Sequence, residues 1–305
     1  MSDNKAREPM LRQPRSGSLN KARLSDFVIS AVILFLCATC ILPFLHIASK
    51  SISSNTAVLA KSIYLLPKQI NFDAYASIFR DGQLTYSMLY SILVTLLFTL
   101  IGMTVTICAA YPLSRSMLAG RRVFTLIILF TLYFSAGLIP EYLLYRRLGI
   151  TNSMWVLILP LAFSPYNMLI MRTYLESTIP ESLYEAAYLD GASHFQMLAR
   201  VTLPLSKPIL ATLSLFYAVG RWNAYADARY FITRKALQPI QYLLSNMVLN
   251  SGADAISLSE GAAVTSTPEV LQAATVMFAT LPILLIYPFI QKHFVKGVMV
   301  GAVKG

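Results

Sequence analysis

Residues Glu185 to Pro208 read EAAYLDGASHFQMLARVTLPLSKP, a polar, helix-forming segment between two long apolar runs. A connection between membrane-crossing helices ordinarily carries little more than turn residues and snorkelling charges. Here the pattern predicts two short helices instead, Glu181 to Leu189 and Ala192 to Val201. Asp190-Gly191 stands between them, suited to ending the first and re-aiming the second. Ordered polar surface of this kind has the character of a docking element.

The rest of the chain sets that element in a bilayer. Of 305 residues, 56% are hydrophobic and only 13% charged, too apolar a balance for an ordinary water-soluble domain. Six stretches read as charge-free runs long enough to cross about 30 Å of hydrocarbon: Phe27 to Ser49, Ser87 to Tyr111, Val123 to Ile139, Met154 to Met171, Pro208 to Asp227 and Val270 to Gln291. The fifth is the weakest, because Arg221 and Asp227 fall in its last third. The expectation is an all-α, polytopic protein with six transmembrane helices in one membrane domain, 27–291. A basic cytoplasmic tail, 1–26, rich in Arg, Ser and Pro, precedes it, and a cytoplasmic tail, 292–305, follows. The first span exceeds the roughly 7 to 15 apolar residues of a signal peptide and lacks a small-x-small cleavage site, so it reads as a retained helix.

A net charge of +11 invites a nucleic-acid reading, but the distribution of the basic residues argues against one. With the N-terminus inside, 15 of the 25 Lys and Arg fall in inner segments and 9 in outer ones. That is the positive-inside bias of a membrane protein with both termini cytoplasmic. It also puts the Glu185 segment on the cytoplasmic side. The outer segments are expected to hold a short amphipathic helix at Phe72 to Phe79 and a long polar stretch, Asn250 to Thr267. Thr267-Pro268-Glu269 supplies an N-cap, a first-turn proline and a first-turn acid for the last span.

Motifs of catalysis are missing: there is no G-x-x-x-x-G-K-[ST] phosphate loop, no H-E-x-x-H and no G-x-S-x-G. Cys37 and Cys40 form a C-x-x-C inside an apolar helix with no second Cys/His pair, and with Cys108 they read as packing thiols. No metal site is expected. The polar residues inside the spans are chiefly Asn167, Arg221, Asn223 and Asp227, and such groups usually face a bundle interior or a water-filled path. Tyr217, Arg221 and Tyr225 recur at i, i+4, i+8, with Trp222 and Asn223 beside them. On one helix that face would suit a sugar ring passing along it. The same spacing also fits anchoring of Arg221, Trp222 and Tyr225 at the headgroups.

Glu185-Ala186-Ala187, then Gly191 after three residues, then Val201-Thr202-Leu203-Pro204 after nine more, closely resembles the EAA loop of binding-protein-dependent ABC importer permeases. Val201 stands where the usual form has isoleucine. The C-terminal run Lys296-Gly297-Val298 and Gly301-Ala302-Val303-Lys304-Gly305 resembles the ending of the MalG-type subunit of carbohydrate-uptake type 1 importers. Gly220 to Tyr225 resembles the subgroup handling larger or acidic oligosaccharides.

The resemblance implies the ABC type I importer permease fold, with a coupling loop, 180–204, in which Glu185, Ala186, Ala187, Asp190, Gly191, Leu203 and Pro204 meet an ATPase. Gly301 and Lys304 would sit in a tail reaching the ATPase dimer. It further implies a second permease subunit, two ATPase subunits, an extracytoplasmic solute-binding protein and a carbohydrate cargo. No cofactor is expected on this chain, ATP and Mg being bound by the ATPase. The site would be the cytoplasmic membrane of a prokaryote. Two rival readings are an ATP-independent secondary transporter or channel, which would be expected to show acidic mid-membrane sites, and a membrane enzyme acting on a lipid-linked sugar.

Overall fold

The computed structural model describes residues 16–249 and 267–302, with side chains described between 25 and 286 of these, Asp81 excepted. Nearly all of the polar stretch expected before the last span, residues 250–266, lies outside the described residues, as does Lys304. Among the described residues the fold is helical, the sole pairing of extended backbone being the isolated Ser53–Ile70 bridge.

Among the described residues, three helices are long and apolar enough to cross a membrane: the Ser25–Ser51 part of α1 (Ser16–Ser51), α4 (Gln83–Leu113), and the Pro268–Ile286 part of α14 (Pro268–Ala302). They coincide with the first, second and sixth stretches read from the sequence. Helix α1 begins at Ser16, well before Phe27, and α14 runs through Gly301, so both reach into the segments read as tails. Between α1 and α4 lie α2 (Asn55–Leu59), capped by Ser54, and α3 (Asp73–Asp81), the short helix expected near Phe72.

The other three expected spans are not straight helices. Helices α5 (Arg121–Tyr133) and α6 (Leu138–Arg147) meet at 113° across a four-residue break, where Val123 to Ile139 was expected to be continuous. Pro140 explains the break. In an uninterrupted helix its ring would collide with the carbonyl of Ala136, whereas in the first turn of a new helix it is tolerated.

The stretch Met154 to Met171 divides likewise into a 3₁₀ turn, Met154–Leu157, and α7 (Pro165–Thr178). Pro165 holds the preceding Ser164 extended (φ −108°, ψ 111°), and the Ser164 side chain then caps α7 by accepting the Asn167 N–H at 3.3 Å. Pro208 to Asp227 becomes α11 (Lys207–Asn223) followed, after a break at Ala224 and Tyr225, by α12 (Ala226–Phe231). Among the described residues, counting α5 with α6, and His194–Leu205 with α11, as one bent span each raises the number of candidate spans to five.

Helix α4 is the axis of the molecule. It packs along α11 and α7 and also touches α3, α5 and α13 (Ile240–Leu249), while α14 packs on α1 and α11. The α4–α11 approach is close because Gly102 has no side chain: a Cβ there would lie 2.8 Å from the Tyr217 ring and 3.0 Å from the Ala162 carbonyl oxygen. Buried apolar residues form three clusters along this axis. The one near the C-terminus of α4 joins Ala110, Met168, Leu213 and Tyr184. A second joins Val94, Leu157, Ile158 and Phe231, and a third joins Ile78, Met88, Trp222 and Ile240 around the N-terminal half of α4. By contrast, α1, α5 and α6 present exposed apolar faces, as surfaces meeting lipid or other membrane helices would.

Candidate docking site and translocation path

The docking element is built as two angled helices. Helix α8 (Glu181–Leu189) ends at Asp190, and Gly191 takes the left-handed conformation (φ +76°) that reverses the chain. Nothing lies within 4 Å of a Cβ placed at Gly191, so backbone geometry rather than crowding requires glycine there. The Gly191 N–H donates to Tyr188 O and the Ala192 N–H to Ala187 O, each at 3.0 Å, closing the end of α8. Ser193 then opens α9 (His194–Met197) with a capping box: it accepts the Gln196 N–H at 3.3 Å, and its own N–H donates to Gln196 Oε1 at 2.8 Å.

After α9 the chain passes through a π turn (Leu198–Thr202) into α10 (Leu203–Leu205). Pro204 has no N–H to continue the regular ladder. The segment His194–Leu205 then turns 84° into α11, so the docking element feeds straight into the long helix.

Glu185, Ala186 and Asp190 are exposed, with Tyr188, Leu189 and Phe195 projecting from the same two helices at 70%, 86% and 77% exposure. Those three exposed apolar side chains were not singled out from the sequence, although large apolar side chains in a polar helix are their signal. Ala187 is half-buried and packs against the membrane-domain cluster. Leu203 is half-buried and Pro204 exposed.

Beneath α8, Tyr184 is buried, its hydroxyl 3.0 Å from Thr202 Oγ1 and its ring 6.5 Å from that of Tyr111 at the end of α4. Tyr111 in turn donates to the carbonyl of His194 at 3.4 Å. Arg115 and Glu181 flank this contact at 3.9 Å, and Ser116 donates to Glu181 at 3.0 Å.

The residues read as a translocation path separate into two groups. Tyr217 is buried, its hydroxyl 2.6 Å from Thr106 Oγ1 and accepting the Ser164 N–H at 3.2 Å, which ties α11 to α4 and to the start of α7. Asn167 is buried one turn beyond that Ser164 contact. Arg221 is 4% exposed and forms an ion pair with Asp227, donating also to Leu157 O at 2.9 Å and Ala224 O at 3.3 Å.

Asn223 and Tyr225 are exposed. The expected Tyr217, Arg221, Tyr225 face does not exist, because α11 ends at Asn223 and Tyr225 lies in the break beyond it. Arg221 and Trp222 are buried within the chain, so the headgroup-anchoring reading fails for both. Gly301 lies in the helical backbone of α14.

Residues 102–300 match the family described as the binding-protein-dependent transport system inner membrane component. The chain belongs to this family. The inner membrane component is a multi-pass permease of an ABC importer and works with a partner permease, an ATPase and a solute-binding protein. It is not itself an enzyme.

Among curated relatives, the polygalacturonan/rhamnogalacturonan transport system permease protein YtcP of Bacillus subtilis is 39% identical over 93% of this chain and 100% of its own length. The protein LplC of the same organism is 37% identical over 88% and 90%. A solved chain from a bacterial ABC transporter involved in the import of the acidic polysaccharide alginate superposes with a TM-score of 0.82. It shares 32% identity and covers 93% of this permease and all of itself. The fold is therefore that of an ABC importer permease, and the secondary-transporter and lipid-enzyme readings have no support.

Proposed function

We propose that this permease carries an oligosaccharide, acidic in character, inward through a complex of one sister permease, two ATPase copies and a solute-binding protein. The observation that carries the cargo assignment is likeness over nearly the full chain to YtcP and to the alginate-importer chain. Polygalacturonan and alginate, named in their descriptions, are both polymers of sugar acids. In this reading both termini face the cytoplasm, ATP and Mg bind only the ATPase, and the tail carrying Gly301 and Lys304 reaches the ATPase dimer. Purified complex in proteoliposomes, supplied with its binding protein, should take up oligogalacturonides or alginate oligomers and not neutral malto-oligosaccharides. Uptake of the neutral sugar alone would overturn the cargo assignment.

The geometry of the docking element supports a route by which the ATPase would power transport. Closure of the ATPase dimer would push on α8 and α9 through Glu185, Ala186 and the exposed Tyr188, Leu189 and Phe195. The turn at Gly191 and the 84° junction into α11 would carry the displacement toward the Arg221 end, alternately opening the path. Arg221 is already satisfied by Asp227 and two carbonyls, so recognition of an acidic cargo falls to other groups, among them the exposed Asn223 and Tyr225 and the sister subunit. Glu185→Arg should abolish coupled uptake while the protein still inserts and is produced at normal level; unchanged uptake would remove the docking model.

A further inference from the structure

The loop that leaves α4 carries a charged side chain whose placement the docking model does not use. Arg115 stands two residues beyond the C-terminus of α4, and its guanidinium lies 3.1 Å from the centre of the Tyr184 ring and 5.5 Å from that of Tyr111. Its side chain is 15% exposed, and its Nε and Nη1 are buried without a hydrogen-bond acceptor. The nearest carboxylate oxygen, on Glu181, is 3.9 Å away, an ion-pair distance but too long for a hydrogen bond. A guanidinium held with unmet donors against an aromatic face owes its position to the stack, because desolvation strengthens a cation–π contact while it penalises lone donors.

The stack joins parts distant in sequence. Tyr184 is the single buried side chain of α8, and its hydroxyl meets Thr202 in the π turn that leads to α11. Arg115 and Tyr111 bring the end of α4 to that same ring. One aromatic ring thus has the end of α4 on one side and, through its hydroxyl, the approach to α11 at its edge.

Resting on the docking reading above, we propose that Arg115 is a positioning residue that locks α8 to α4. Displacement of α8 by the ATPase then moves α4 and α11 together as one body. Without the stack, α8 would move against α4, and the push would reach α11 alone through the 84° bend. Lysine cannot replace arginine here, since a compact ammonium keeps the charge but loses the planar face that lies on the ring.

The test uses the assembled importer, labelled with a spin pair on exposed positions of α8 and α4 outside the docking contact, Ser182 and Leu100. In the parent protein the distance between the labels should stay fixed on ATP binding. In Arg115→Ala and Arg115→Lys it should become ATP-dependent, with sugar imported per ATP hydrolysed falling about tenfold, the equivalent of roughly 1.4 kcal/mol of lost coupling. Tyr184→Phe, which keeps the ring, should hold the distance fixed.

A parent distance that changes with ATP overturns the proposal, as does parent-like import per ATP in both Arg115 variants. If neither Arg115 variant assembles, the parent and Tyr184→Phe distances still decide. Failure of the docking reading shows differently: adding the ATPase subunits would leave the mobility of a single label at Ser182 unchanged.

Discussion

The two ends of α11 are fastened by different chemistry. At its C-terminal end, Arg221 and Asp227 form an ion pair with side chains 2% and 12% exposed, completed by bonds to the Leu157 and Ala224 carbonyls. At its N-terminal end, the docking element is held by the Arg115–Tyr184 stack, a Tyr–Thr hydroxyl contact and an ion pair whose Glu181 side chain is 45% exposed. The first fastening is directional and closed to solvent, so losing any one partner strands the others. The second spreads over several weak contacts beside an exposed surface, which suits a part that must meet another protein and move with it. One end is built to keep the fold and the other to transmit a push.

The widest difference between the ends should appear when the buried pair is broken. Asp227→Ala leaves the Arg221 guanidinium buried without its carboxylate, a loss of about 3 to 5 kcal/mol where such a pair is truncated. Thermal unfolding of the detergent-purified complex should show it as the most destabilised single variant, and expression should fall. Stability equal to the parent's would mean that Leu157 and Ala224 suffice to hold Arg221.

Next in size is a contact midway along α11. Tyr217→Phe removes a hydroxyl that meets Thr106 and accepts the Ser164 N–H, leaving that backbone donor unmet at a cost of about 1 to 3 kcal/mol. The ring still fills the space over Gly102, so the packing of α4 on α11 should persist. A drop in unfolding temperature midway between the other variants, with normal assembly, is the expected result. A loss as large as that of Asp227→Ala would place the principal fastening of α11 at its middle.

The docking element was the part most legible from the sequence, because its signals are local. Asp190-Gly191 marks the end of α8, decided by backbone chemistry within a few residues, whereas the second helix, expected from Ala192 to Val201, starts at His194 behind the Ser193–Gln196 capping box and gives way to the π turn at Leu198. The first, second and last spans were legible for the same reason, as long apolar runs. The third and fourth were not read as broken, although Pro140 and Pro165 were the signals, since hydropathy averages over the proline that interrupts a helix.

The Arg221 environment was misread because periodicity assumed one helix through Tyr225. Arg221 and Asp227 are six residues apart, a spacing that does not align on an uninterrupted helix. Two opposite charges in one apolar stretch pointed to pairing, and pairing required the break. Leu157, Thr106 and Arg115 come from distant segments, so no local pattern could bring them to these sites.

The smallest effect belongs to the exposed charge of the docking element. Glu181→Gln removes the ion pair with Arg115 but keeps an acceptor for Ser116, and half-exposed pairs of this kind contribute about 0 to 1 kcal/mol. Glu181 also lies in the first turn of α8, where its negative charge favours the exposed amide end of the helix by an amount of similar size. Both contributions are screened by salt, so the variant should unfold within a few degrees of the parent at low ionic strength and closer still at high. Coupling should survive, because the guanidinium remains on the Tyr184 ring. If Glu181→Gln instead destabilised the complex as strongly as Asp227→Ala, the charge pair and not the aromatic stack would be holding α8, and the two ends of α11 would be fastened by the same means.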